Sequence, residues 1–186
     1  MISVKELNTF FIKSDFDQHR AVKNGLLRRI SESKGENIVA EPAHTNITKS
    51  DWEDGDKLNC EREWVNYIMP DLHNHFSKCF KKVGYHDYII SKLWYQQYDK
   101  DSEHGWHIHE DNFTGVYYVD MPNGEKTQFL QPLTNEVKEF NVKEGDLILF
   151  PSFVIHRAPK VINEHTKTII SFNINVGYPD KYYNVI

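Results

Sequence analysis

The chain is poor in features that define several classes of protein. It has two cysteines, Cys60 and Cys79, which are far apart and belong to no closely spaced thiol motif. Neither a disulfide framework nor a structural zinc site is therefore expected, and both cysteines are predicted to be reduced structural thiols. No apolar run approaches the roughly 18 residues of a membrane span, and residues 1–12 lack the pattern of a signal peptide. We therefore expect a cytoplasmic protein with no membrane partner.

An excess of positive charge is also missing. The 186 residues carry a formal net charge of −5, so nothing in the composition favours nucleic acid as a partner. Apolar residues make up 39% and charged residues 26%, which is typical of a globular protein large enough for one core. No internal repeat is present, and we predict a single domain over residues 1–186. The sequence does not indicate an oligomeric state.

The character of the chain changes near residue 85. Residues 1–84 are predicted to form a helical scaffold with loops, because apolar residues recur at helical spacing in residues 17–33 and again in residues 61–82. Pro70 is expected to break or kink the second helix early. The polar residues 34–60 between the helices are predicted to be a loop and a candidate cover for an active site.

Short aromatic and β-branched runs separated by turn signals follow from about residue 85 to residue 180. They predict strands at residues 88–98, 106–110, 113–120, 127–132, 137–142, 146–150 and 168–176. Many short strands at this spacing indicate a mainly β fold with flanking helices, either a sandwich or a jelly-roll barrel.

Three potential metal ligands lie at alternate positions in the second of these strands. They are His107, His109 and Asp111, which would address one point because alternate side chains of a strand share a face. His156 follows an apolar run further along, on a segment that a neighbouring strand can bring beside them. Two imidazoles and one carboxylate, supplied by His109, Asp111 and His156, are typical of non-haem iron(II) sites with open positions.

A set of ordered sequence blocks accompanies these ligands. The blocks are Trp94-Tyr95-Gln96-Gln97-Tyr98, Trp106-His107-Ile108-His109, Phe113-Thr114-Gly115-Val116-Tyr117-Tyr118, Glu144 to Pro151, His156-Arg157 and Lys167 to Asn173. In this order, over about residues 88–176, the chain resembles the iron(II)/2-oxoglutarate-dependent oxygenase superfamily. The resemblance is greatest to its small prolyl-4-hydroxylase-like branch, whose members mostly have unassigned substrates.

The resemblance implies a fold, a set of cofactors and a reaction. The fold would be a cupin-like double-stranded β-helix with iron(II) at one mouth. Lys167 would pair with the far carboxylate of the cosubstrate 2-oxoglutarate, and Tyr98 would hydrogen-bond it, with Tyr95 and Tyr117 as further candidates. Molecular oxygen and 2-oxoglutarate would be converted to carbon dioxide and succinate as an unidentified small-molecule or peptide substrate is hydroxylated. The metal would supply the chemistry, with no further catalytic residue.

Two questions stay open at this point. The third metal ligand is either Asp111, which its charge favours, or His107, which the family spacing from Tyr98 favours; His109 and His156 belong to both sets. The function also has alternatives, namely a three-histidine dioxygenase that uses no 2-oxoglutarate and a non-catalytic β-sandwich binding module. A buried cation at Lys167 would argue against the first alternative, which requires none there. An open, solvent-facing coordination position would argue against the second.

Overall fold

The computed structural model describes residue 3 and residues 9–58, 62–122 and 124–177, so Cys60 lies outside the described residues. Strands and helices follow one another along these segments. In chain order they are β1 (Ile12–Asp15), α1 (His19–Glu32), β2 (Glu36–Ala40), β3 (Thr45–Ser50), a 3-10 turn (Trp52–Asp54), α2 (Glu63–Lys82), β4 (Tyr88–Tyr98), β5 (His104–His107), β6 (Phe113–Asp120), β7 (Gln128–Leu130), β8 (Val137–Glu139), β9 (Asp146–Pro151), β10 (His156–Ala158) and β11 (Lys167–Val176).

The strands form two antiparallel sheets. The larger has the order β1-β9-β6-β11-β4-β3-β2, and the smaller has the order β5-β10-β7-β8. Eight of these strands, β4-β11-β6-β9 in one sheet and β5-β10-β7-β8 in the other, make the two faces of a double-stranded β-helix. The predicted mainly β, jelly-roll fold is thus confirmed.

The central strand β11 separates two cores. Ile170, Phe172 and Ile174 belong to the core between the sheet and the helices, whereas Ile169 belongs to the core inside the barrel. Since side chains alternate along a strand, the odd-numbered residues of β11 face into the barrel. The same holds for the even-numbered residues of β4 from Trp94 to Tyr98, because their odd-numbered neighbours pack against the helices.

The two predicted helices are present and cover the outer face of the larger sheet. Val22, Leu26 and Ile30 of α1 are buried in the helix-side core, as their spacing predicts. The expected break at Pro70 does not occur, and α2 is continuous from Glu63 to Lys82. Its apolar face is buried along its whole length, and this burial outweighs the one backbone hydrogen bond that proline removes. Neither described helix combines the length and apolarity that a membrane span requires.

The prediction of a loop at residues 34–60 is wrong over much of its length. Strands β2 and β3 form a hairpin that extends the larger sheet beyond β4. Most side chains of β2 are exposed, so this edge strand lacks the alternation of apolar and polar residues by which strands are recognised. The hairpin also supports β5, because Gly105 N–H donates to Thr45 Oγ1 at 3.3 Å. It therefore braces the histidine-bearing strand.

Candidate active site

Three histidines from two neighbouring strands meet at one end of the barrel. His107 at the end of β5 is the register partner of His156 at the start of β10. His109 lies two residues beyond β5, where its backbone N–H donates to Ser152 O at 3.0 Å. One ring nitrogen from each of the three lies within 4.8 Å of the others. The structure thus brings together His107, His109 and His156, including the sequence-distant pair that the metal hypothesis requires.

Backbone carbonyls orient two of these imidazoles. His107 Nδ1 is 2.7 Å from Gly105 O, and His156 Nδ1 is 2.9 Å from Val154 O. A carbonyl oxygen only accepts, so Nδ1 carries the hydrogen in both rings and Nε2 keeps its lone pair. This is the arrangement by which proteins fix the tautomer of a metal-binding histidine.

Burial keeps the cluster uncharged. It lowers the pKa of His107, lowers the pKa of His109 to about 3, and lowers the pKa of His156 well below its usual value. The neighbouring imidazoles act in the same direction on His109 and His156, since each disfavours a second positive charge. Neutral imidazole is the form that binds a metal ion.

Asp111 is placed away from this cluster. Its Oδ1 accepts a hydrogen bond from Asn175 Nδ2 at 2.5 Å, near the rim of the barrel. Strand β5 ends at His107, so the alternation that would aim residue 111 at the same point does not continue. Among the described residues, the convergent group contains three histidines and no carboxylate.

Lys167 and Tyr98 lie at the opposite, deep end of the barrel. They are register partners on β11 and β4, and each is only 1% exposed. Lys167 Nζ lies 5.5 Å from the centre of the Tyr98 ring, and Tyr98 OH has no hydrogen-bond partner in the described parts of the chain. Burial lowers the pKa of Lys167 to about 8, although Glu125 opposes the shift. No described carboxylate lies within ion-pair distance of this ammonium group.

A narrow pocket runs from the histidines towards the deep end. Its walls include the three clustered histidines, Trp94, Gln96, Tyr98, Val116, Thr127, Ile169 and Ser171. Trp94 lies opposite Ser171 in the register, as Tyr98 lies opposite Lys167, so the two ends of the pocket are about 13 Å apart along the strands. The Trp94 ring lies 5.8 Å from that of His109. The three neutral imidazoles line one end of this cavity, and Tyr98, the register partner of Lys167, lines the other.

Comparisons with known proteins place this geometry. No family model matches the sequence, and no curated protein matches it either. Solved structures do match over most of their length. A 2OG-Fe(II) oxygenase family oxidoreductase from Burkholderia pseudomallei matches with 14% identity and a TM-score of 0.65, covering 90% of this chain and 85% of that one. A prolyl hydroxylase from Trichoplax adhaerens, in complex with a hypoxia inducible factor peptide, matches with 18% identity and a TM-score of 0.60, covering 94% and 86%; HygX from Streptomyces hygroscopicus, with nickel and 2-oxoglutarate bound, matches with 9% identity and a TM-score of 0.61, covering 90% and 83%.

The chain has the fold of these oxygenases.

Within that fold, two of the suggested tyrosines lie on the wrong face of the sheet to reach the cavity. Tyr95 and Tyr117 belong to the helix-side core. Tyr95 OH donates to Lys34 O at 2.9 Å, and Tyr117 OH is paired with His19 Nδ1 at 2.8 Å. The suggestion that they contact a cosubstrate is wrong, because each is adjacent in sequence to an inward-facing position and points the other way.

His104 is a site residue that sequence reasoning did not single out. Its ring stacks on that of His107 at 3.8 Å with an interplanar angle of 15°, and it lines the cavity. Burial lowers its pKa to about 3. The sequence permitted a solvated, histidine-rich turn here, and only the packing of β5 against the β2–β3 hairpin shows that the ring is enclosed.

Proposed function

We propose that the protein is a non-haem iron(II)- and 2-oxoglutarate-dependent oxygenase that hydroxylates a small-molecule or peptide substrate. The observation that carries this proposal lies inside an oxygenase fold. Buried Lys167 has no carboxylate within ion-pair distance in the described parts of the chain, and the neighbouring Tyr98 hydroxyl has no hydrogen-bond partner there. A buried cation and a buried hydroxyl without partners are costly unless a ligand satisfies them. The far carboxylate of 2-oxoglutarate has the charge and the acceptor atoms to do so.

The histidine cluster fits the metal in this proposal. His107 and His156 present Nε2 lone pairs, and His109 supplies the third nitrogen. We assign His107 rather than Asp111 as the third ligand, because His107 belongs to the convergent group and Asp111 is held by Asn175. Three neutral imidazoles leave the ion's positive charge unneutralised, which favours binding of an anionic cosubstrate.

Each residue then has a defined task. When bound, iron(II) would supply the redox chemistry that couples loss of carbon dioxide from 2-oxoglutarate to oxidation of the substrate. Lys167 binds and neutralises the far carboxylate, and Tyr98 donates its hydroxyl hydrogen to the same group. The apolar walls at Val116, Ala158 and Ile169 exclude water and so strengthen these charge interactions.

One alternative function is favoured by a specific observation. A cluster of three histidines, to which the described residues add no carboxylate, also suits a dioxygenase that binds its substrate directly to iron and uses no 2-oxoglutarate. That alternative gives no role to the buried charge of Lys167. A non-catalytic module, in turn, gives no role to three inward-facing imidazoles beside a cavity. Cytoplasmic location stays a prediction, as does the predicted reduced state of Cys60; Cys79 is a buried free thiol.

A turnover assay tests the proposed function. Protein incubated with iron(II), 2-oxoglutarate and oxygen is expected to release succinate slowly even without its substrate, and to release none under nitrogen. The matched control is Lys160→Met, which removes an exposed lysine near Asp101 and should leave the rate unchanged. Oxygen consumption without any succinate would favour the three-histidine alternative and contradict the proposal.

The affinity for 2-oxoglutarate is predicted to depend on pH through Lys167. Its pKa in the free protein is about 8, and only the protonated form attracts a carboxylate. Affinity should therefore be constant below pH 8 and fall by up to about tenfold per pH unit above it. Calorimetric titration of the zinc-loaded protein from neutral to alkaline pH measures this. The Lys167→Arg variant keeps its positive charge over this pH range, so its affinity for 2-oxoglutarate should not fall at alkaline pH. If its affinity falls as that of the unsubstituted protein does, Lys167 is not the origin of the pH dependence.

A further inference from the structure

Three buried polar atoms near the histidine cluster have no partner that the fold provides. They are Trp94 Nε1, Ser152 Oγ and Asn173 Oδ1, which have no hydrogen bond in the described segments. The three residues are 2%, 1% and 8% exposed, so bulk water does not satisfy them. Unpaired buried polar groups of this kind are rare in folded proteins and each calls for an explanation.

Two of these residues, Trp94 and Ser152, lie next to His109, and the third, Asn173, lies on β11 beyond the cavity wall. The Trp94 ring lies 5.8 Å from that of His109, and Ser152 is tied to His109 through the backbone hydrogen bond described above. Asn173 is the next inward-facing residue of β11 after Ser171, which lines the cavity. Along β11, Lys167 lies at the deep end, Ser171 lies in the cavity wall, and Asn173 lies near the rim.

A second cation lies at this rim. Lys92 is the register partner of Asn173, and its Nζ lies 3.4 Å from the Trp52 ring centre and 5.9 Å from that of Trp94. Asp56 and Glu53 act on its charge from beyond ion-pair distance, and no described carboxylate lies within 4.0 Å of it. Lys92 therefore contacts aromatic rings but has no described anionic partner, and Trp94 lies two residues away on the same strand.

Acceptor groups lie on β11 and on the segment that precedes β6. Asn175 Nδ2 donates to Asp111 Oδ1. Two residues earlier on the same strand, Asn173 Oδ1 has no hydrogen-bond partner in the described segments. The rim thus presents a cation and an N–H donor on β4, an amide oxygen on β11 and the carboxylate of Asp111 beside β11. A ligand that satisfies this set must carry an anion together with a hydrogen-bond donor close to it.

We propose that Lys92, Trp94, Asn173, Ser152 and Asp111 form a substrate subsite for a small carboxylate that also carries an N–H donor, as a free α-amino acid does. Lys92 and the Trp94 indole N–H bind the carboxylate, and Asn173 Oδ1 with Asp111 accepts from the ammonium group. This assignment rests on the proposed function, since it places the substrate beside the metal. An internal residue of a peptide has no α-carboxylate and would leave the Lys92 charge unpaired.

Calorimetric titration of the zinc- and 2-oxoglutarate-loaded protein tests the subsite without relying on turnover. The probes are the free L-amino acids, the carboxamides of those that bind, and capped tripeptides centred on the same residues. At least one free amino acid is expected to bind, and its carboxamide should bind at least tenfold more weakly. Lys92→Met and Asn173→Leu should each weaken that binding about tenfold or more, whereas the matched surface control Lys100→Met, which loses only an exposed pair with Glu164, should not.

The outcomes distinguish a failure of the subsite from a failure of the proposed function. Tight binding of capped peptides with no binding of free amino acids would overturn the subsite, as would binding of none of the probes or binding that Lys92→Met and Asn173→Leu leave unchanged. Succinate formation by the unsubstituted protein reports on the proposed function independently. If succinate forms and no amino acid binds, the subsite fails alone; if no succinate forms, the oxygenase assignment itself fails.

Discussion

Replacement of Lys167 by methionine is expected to raise the dissociation constant of 2-oxoglutarate by on the order of a hundredfold or more. The substitution keeps an unbranched side chain of similar volume, one atom shorter, but removes its charge. A carboxylate entering the deep end of the barrel would then be buried without a counterion, beside Tyr98 alone. Calorimetry on the zinc-loaded protein measures the change.

Stability provides the control for this experiment. Burial lowers the pKa of Lys167 to about 8, which shows that the fold disfavours its charge, so Lys167→Met should melt at the same temperature or higher. Lys160→Met, on an exposed lysine close by in sequence, should change neither affinity nor melting. Unchanged 2-oxoglutarate affinity in a folded Lys167→Met protein would contradict the assignment of Lys167 as the partner of the far carboxylate.

Replacement of His107 by alanine is expected to weaken divalent metal binding strongly, whereas Asp111→Ala should leave it nearly unchanged. Removal of a residue that hydrogen-bonds a metal ligand typically lowers metal affinity by roughly 10–100-fold. The loss of affinity in His107→Ala should be larger, because a ligand itself is removed. Cobalt(II) titration followed by its visible absorption measures both affinities. The two variants control for each other, since the residues lie four apart on the same segment.

A larger loss of metal affinity in Asp111→Ala than in His107→Ala would identify Asp111 as the third metal ligand. If Asp111→Ala lost the metal and His107→Ala retained it, the carboxylate would have to leave Asn175 and enter the cluster, and the three-histidine arrangement would not describe the metal-bound protein. Equal losses in both variants would also contradict the assignment of His107.

The sequence predicts the barrel better than it predicts what surrounds it. Strands β4 and β6 begin and end at the predicted residues, 88–98 and 113–120, because they are central strands rich in aromatic and β-branched side chains. The hairpin β2–β3 was not predicted, since an exposed edge strand has no apolar face to mark it. Strand β1 was not predicted either, because it is only four residues long and its alternate residues are exposed.

The candidate site was predictable as a set of residue types and not as a geometry. Alternation along one strand aims residues 107, 109 and 111 at a common point only as long as the strand continues, and β5 ends at His107. His109 still reaches the cluster because Ser152 holds its backbone, a contact between distant segments that no local pattern reveals. The unpaired atoms at Trp94 and Asn173 are likewise visible only once the packing is known.

The metal and the cosubstrate must meet in one cavity for this account to hold, and an anaerobic titration measures that directly. Iron(II) is added to the protein without oxygen, followed by 2-oxoglutarate, and the visible absorption is recorded. A charge-transfer band that appears only when iron, 2-oxoglutarate and the unsubstituted protein are all present, and that is lost in Lys167→Met, is the predicted result. A protein that binds iron(II) at its three histidines but never develops this band would contradict it.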